Sequence, residues 1–217
     1  METKNIEGLK TRRLRRGFTL IELLVVIAII GIVAALVTGL AGRATKIKKI
    51  NRVRTEMEQL DTVIESYKEK KGFYPPSNGN GNNSATNQLF YELVGTFLNN
   101  NDFEPINGSG KISAADASDV FGVDGFANSS TERGEIKNFF TTMKASQAVV
   151  FTNAANVVVQ VLAVPVEGPN DIVLNDGRKI NPWRYNSSNP THNPESFDLW
   201  AEILVGGKTT IIGNWKD

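Results

Sequence analysis

From Gly17 to Gly42 the chain carries one ionisable residue, Glu22. The rest of that stretch is apolar or small, beginning Phe18-Thr19-Leu20-Ile21-Glu22-Leu23-Leu24-Val25-Val26-Ile27-Ala28-Ile29-Ile30-Gly31-Ile32. As a helix the run rises about 39 Å, at ~1.5 Å per residue. The hydrocarbon core of a bilayer is about 30 Å thick, so the run reads as a membrane segment. Its single acid needs a reason, because a carboxylate at the centre of such a segment costs roughly 2.5–3.5 kcal/mol, and less near an end. Phe18 and Glu22 share a helix face. A cut before Phe18 would create a positive amine there, which the carboxylate can offset in low dielectric. The plainer reading is a side chain that reaches back to the membrane interface.

Both flanks of the run are basic. Residues 1–17 hold six Lys/Arg against two Glu, and residues 43–54 hold six Lys/Arg and no acid. Charge alone therefore does not set an orientation. An ordinary secretory signal peptide, cut near Gly39-Leu40-Ala41, is the rival reading; the apolar run is too long for it and Glu22 is out of place. Over all 217 residues the net charge is +1, which gives no field that would draw nucleic acid. The absence of cysteine excludes disulfides and thiol chemistry.

The string Arg16-Gly17-Phe18-Thr19-Leu20-Ile21-Glu22, with its basic lead-in from Arg12 and the apolar run behind it, resembles the type III signal of the type IV pilin superfamily. That superfamily includes pilins and the pseudopilins of type II secretion. The resemblance implies that residues 1–17 are a leader removed by prepilin peptidase between Gly17 and Phe18. It implies a methylated Phe18 amine, and it assigns Glu22 to the amine of a neighbouring subunit during assembly. It also implies a single pass of the inner membrane, with the leader cytoplasmic and the head periplasmic, and a filament in the periplasm or at the cell surface.

Beyond Gly42 the helical pattern continues. Ile47, Ile50, Val53, Met57, Leu60, Ile64 and Tyr67 form one apolar stripe among charged faces. It predicts a helix to about Lys70, stopped by Gly72. Residues 18–71 then form one long helix, with 18–42 in the membrane or a filament core, and residues 72–217 form a head. The Lys46-Ile47-Lys48-Lys49 run reads as a solvated face or a membrane-surface anchor. Tyr74-Pro75 just after the helix resembles the pseudopilin pattern, and Ser77–Asn83 reads as a loop. Residues 86–98 look helical and 99–125 turn-rich. Ser129-x-x-Glu132 reads as a capping box before a helix to about Lys144. Strands are expected over 157–162, 172–174 with 179–180, 197–204 and 209–212. The fold class is α+β: a long helix packed on a small antiparallel sheet.

Asn181-Pro182-Trp183, Tyr185, Phe197-Asp198-Leu199 and Ile212-Gly213-Asn214-Trp215 resemble the tail of the major pseudopilin of type II secretion. In that family an acidic loop binds calcium. Here the matching stretch, Glu202–Thr210, has Lys208, Thr209 and Thr210 in place of aspartates, so calcium and other cofactors are not expected. Asp198 is the one remaining candidate metal ligand. Residues 86–165 have no counterpart in the compact family head and read as an insertion.

Nothing in the sequence supports catalysis. His192 stands alone in an Asn/Pro-rich loop, and no nucleophile elbow or phosphate loop is present. Trp183, Trp200 and Trp215 read as packing residues. The expectation is a non-enzymatic filament subunit whose partners are copies of itself, other pilins or pseudopilins, prepilin peptidase, an inner-membrane assembly platform and membrane lipid. The alternative is a membrane-tethered binding or sensing head that never polymerises.

Overall fold

Helix α1 runs from Leu20 to Lys71. The computed structural model describes residues 17–79, 85–174 and 176–215, with the side chains of 37–41 outside the description. No proline interrupts the chain before Pro75. Gly72 ends the helix in the left-handed region, at φ 86°, and its N–H reaches the Lys68 carbonyl at 2.8 Å. The chain divides into two compact units, Met1–Thr45 and Lys46–Asp217, and α1 contributes residues to each.

In the first unit every described side chain from 17 to 36 is exposed. The helix is apolar on all sides there and has no core to face. Among the described residues no helix is long and apolar enough to cross a membrane. The expected span, 18–42, lies partly outside the described side chains, and Gly39 lies with it. The expected leader lies outside the described residues except for Gly17.

In the second unit the stripe of α1 does face a core. Val53, Leu60, Ile64 and Tyr67 are at most 1% exposed, while Ile47 remains 58% exposed. The buried stripe thus begins further along than the periodicity alone suggests. Against it pack α2 (Leu89–Val94), five of whose side chains (Leu89, Phe90, Tyr91, Leu93 and Val94) are fully buried apolar residues, and the buried Trp183, Tyr185, Phe197, Leu199 and Ile203. Each such side chain contributes about 1.5–3 kcal/mol through burial.

The strands are β1 (Thr96–Asn99), β2 (Asp102–Pro105), β3 (Ile112–Ser113), β4 (Ser129–Ser130), β5 (Ala148–Thr152), β6 (Val158–Leu162), β7 (Ile172–Val173), β8 (Lys179–Ile180), β9 (Arg184–Asn186), β10 (Asp198–Val205) and β11 (Lys208–Gly213). They form several small sheets rather than the single one expected: β3-β2-β1-β4, β11-β10-β9, β5-β6 and β7-β8. All pairs are antiparallel except β1 with β4.

Three local expectations are corrected. The helix expected over 86–98 is only α2, because Gly95 at φ 82° turns the chain and Phe97 and Leu98 enter β1 opposite Glu104 and Phe103. The helix expected after Ser129 is a single 3-10 turn, Arg133–Glu135. Ser129 donates backward to the Phe126 carbonyl at 2.6 Å, and it is Ser130 that bonds forward into the turn, accepting from the Glu132 N–H at 3.0 Å and donating to Glu135 at 2.7 Å. That turn does not grow because the Lys137 carbonyl is taken by the Asn128 side chain and the Phe139 N–H by the Leu93 carbonyl. The stretch 99–125 holds β2, β3 and α3 (Ala114–Phe121), which Ser113 caps by accepting from the Asp116 N–H at 3.1 Å. Segment 86–165 contributes many of the buried apolar residues of the core.

One buried carboxylate joins three of these pieces. Glu92 on α2 is fully buried and accepts from the Tyr67 hydroxyl of α1 at 2.8 Å and from the backbone N–H groups of Ala127 and Asn128 at 2.8 and 3.0 Å. Burial pushes its carboxyl above the ordinary value of 4.5, and these donors, with the charge of Lys71, offset that only in part.

Candidate functional site

The start of α1 is closed by Thr19 and Glu22. Thr19 sits just before the helix, and its carbonyl accepts the Leu23 N–H at 3.3 Å. Its hydroxyl accepts from the Glu22 N–H at 3.3 Å. The Glu22 carboxylate reaches back and accepts from the Thr19 N–H and the Thr19 hydroxyl, both at 2.8 Å. This reciprocal pairing is a capping box, Thr-x-x-Glu, and it satisfies N–H groups that a helix start leaves open. Phe18 stands outside it and is 83% exposed. A Cβ at Gly17 would meet nothing within 4 Å, so the fold itself does not require glycine there.

The structure begins α1 at Leu20, so Phe18 precedes the helix on whose face the spacing put it with Glu22, and Glu22 bonds instead to Thr19, which sequence reasoning misses. The signal is present nonetheless: Thr19 and Glu22 have the same spacing as Ser129 and Glu132. The Glu22 carboxylate closes the helix end within its own chain.

The second candidate, Asp198, opens β10 and is 3% exposed. Its Oδ2 accepts from the backbone N–H groups of Thr191 and His192 at 2.7 and 2.9 Å, and its Oδ1 from that of Asn193 at 2.9 Å. The His192 ring Nδ1 lies 3.1 Å from Oδ2. Burial pushes this carboxyl up, and the backbone and ring of His192 with the N–H groups of Thr191 and Asn193 outweigh it, holding the group below its ordinary value of 3.8. The imidazole stacks on Trp215, with centroids 3.7 Å apart and planes within 5°. The indole in turn lies so close over Gly213 that a Cβ there would meet it at 2.6 Å. His192, expected to be solvated, is exposed, with one ring face on Trp215 and its Nδ1 toward Asp198.

These donors use the Asp198 oxygens as a brace for residues 191–193. The stretch that matches a calcium loop in position is a hairpin: Val205 pairs with Lys208, and Gly206 and Gly207, at φ 61° and 78°, make a two-residue turn. That arrangement does not fit a calcium cage. No group of His, Asp and Glu that could hold a metal occurs among the described residues. Around Asp198, His192, Trp200 and Trp215, with Arg54 of α1 and Ile211 of β11, lies a cleft of about 690 Å³. Trp183 is buried in the core.

Residues 12–38 match the prokaryotic N-terminal methylation motif. That match supports a type IV pilin-like signal for an exported chain anchored in a membrane, and it takes in Gly17, Phe18, Thr19 and Glu22. No curated protein and no solved structure matches the chain.

Proposed function

We propose that this chain is a structural subunit of a type IV pilus-like or type II secretion pseudopilus filament. The observation that carries the reading is the match over 12–38, which centres on the capped start of α1. Prepilin peptidase cuts between Gly17 and Phe18 and the new amine is methylated. The exposed Phe18 and a glycine that the fold does not need both suit a site that another protein reads. The all-round apolar helix waits in the inner membrane and is then drawn by the assembly platform into a fibre of like helices. Its role is structural, not catalytic.

Glu22 has two sets of donors to choose from. Within one chain it bonds the Thr19 N–H and hydroxyl. In the fibre it turns to the amine of a neighbouring subunit, a charged donor that forms a stronger hydrogen bond. Glu22→Ala is expected to leave cleavage largely intact and to abolish filaments; normal filaments from that variant would refute the role. Mass spectrometry of the protein from its native membrane is expected to show a chain starting at Phe18. A start near Gly42 would mean an ordinary secreted protein.

The cleft of about 690 Å³ in the second unit favours one other reading, a tethered binding head that does not polymerise. Fibres sheared from cells and containing this chain would exclude it.

A further inference from the structure

β11 has β10 on one side and no strand on the other among the described residues. The Asn214 N–H donates to the Leu199 carbonyl at 3.0 Å, and Leu204 of β10 turns its N–H away from β11, to the Glu167 carbonyl at 2.8 Å. Hydrogen bonds alternate along an antiparallel pair, so Lys208, Thr210 and Ile212 bond to β10. Thr209, Ile211 and Gly213 aim their N–H and C=O groups outward. Those groups form no backbone bond on that side among the described residues. Charge, proline or a bulge commonly blunts such an edge. Here the one charged residue of the strand is Lys208, beside the turn, and Ile211 is 58% exposed.

The cleft of about 690 Å³ runs along this edge, since Thr209, Ile211 and Gly213 all line it. Leu199, Ala201, Ile203 and Ile212 point from the sheet into the core that Val53 of α1 shares, and Trp200 and Ile211 stand on the opposite face. The walls of the cleft differ accordingly. On the outer side Trp200 and Trp215 make a corner, with ring centroids 6.0 Å apart and planes at 61°. On the α1 side is Arg54, which forms no ion pair among the described residues. Lys46 lies against the β10–β11 turn, where a Cβ at Gly206 would meet its side chain at 2.6 Å.

The α1 wall is positive. From Lys46 to Glu58 it carries five Lys/Arg against Glu56 and Glu58. Glu56 already feels the charges of Arg52 and Lys144. Glu58, one turn past Arg54, forms no ion pair. The other acids nearby are engaged: Asp198 by the N–H groups of residues 191–193, Glu202 by Arg184 at 3.4 Å, and Asp61 by the Asn214 side chain at 3.4 Å.

We propose that the open edge of β11 takes an extended acidic segment of a partner protein as a fourth strand of the β9–β11 sheet. The segment's backbone bonds the outward groups of Thr209, Ile211 and Gly213. Successive side chains of a strand point to opposite faces, so every second residue meets the tryptophan corner and those between meet the basic wall. The segment that fits alternates apolar residues with Asp or Glu. The proposal goes beyond the filament reading and does not depend on it.

The probe is a dye-labelled peptide as long as β11, six residues, alternating leucine with glutamate and blocked at both ends. It is titrated by anisotropy against the full chain in detergent micelles, and saturable binding is expected. Methylating one alternate set of peptide nitrogens is expected to weaken binding about tenfold or more, and methylating the other set to leave it unchanged. Ile211→Pro removes an N–H that the sheet does not use, so it is expected to keep the thermal melt and to weaken binding about tenfold. Arg54→Glu is expected to weaken it about threefold to fivefold. A peptide with lysine in place of glutamate is expected not to bind. No saturable binding, equal binding of the lysine peptide, or equal binding by Ile211→Pro and by both methylated peptides overturns the proposal. A disulfide between two Ile211→Cys chains, formed without peptide, assigns the edge to a second copy and overturns it too. Peptide binding by a chain that gives no filaments overturns the filament reading and leaves this one standing.

Discussion

Glu92 and Asp198 are both buried carboxylates, yet they answer pH in opposite senses. Asp198 is held below 3.8, so the stability it adds is complete above that value and is lost as pH falls through its folded-state value. Glu92 is held above 4.5, so the folded protein keeps a proton that the unfolded chain has released; that contribution is complete below 4.5 and is lost as pH rises through the folded-state value. Two variants separate them in thermal melts followed from acid to neutral pH. Asp198→Ala is expected to lower stability by about 1–3 kcal/mol at neutral pH, because it strands the N–H groups of residues 191–193. Its melt should lose the fall on the acid side. Glu92→Gln is expected to flatten the decline between 4.5 and neutral pH. An unchanged profile in either variant would contradict the assigned role. Neither environment was legible in the sequence, since the donors to Asp198 come from an irregular loop and those to Glu92 from elements far along the chain.

At the scale of elements, α1 was the most legible part of the chain. Its stripe repeats over several turns, and a glycine stands where the helix stops. Leu60→Ala is expected to cost about 2–5 kcal/mol in denaturant melts, because the side chain is 1% exposed in the core. Ile47→Ala lies on the same sequence stripe but at 58% exposure, and is expected to change stability by less than about 0.5 kcal/mol. Equal losses would mean that the stripe, not the packing, sets the energy. Short elements were less legible because distant groups decide them. α2 is six residues, apolar but for Glu92, too short to show a period of its own, and Gly95 redirects the chain into β1. The cap signal at Ser129 and the one at Thr19 have the same spacing. One opens a 3-10 turn and the other a long helix, because Asn128 and Leu93 claim the backbone beyond Ser129.

For the whole molecule, the two units differ in what they need around them. The described apolar residues at the start of α1 are exposed, whereas the Lys46–Asp217 unit encloses its own core. A fragment of residues 46–217 is expected to fold alone and melt cooperatively without detergent, while the full chain needs detergent or lipid to stay dispersed. A fragment with no cooperative transition would show that the core depends on the first unit. The stack of His192 on Trp215 gives that fragment an optical consequence. One face of the indole meets an imidazole and the ring also lies against Gly213, so its emission depends on a loop that Asp198 ties down. Trp183, sealed in the core, responds only when the unit opens. Of the three tryptophans, Trp215, with Trp200 beside it at 6.0 Å between ring centroids, therefore senses the rim of the head, and Trp183 its centre.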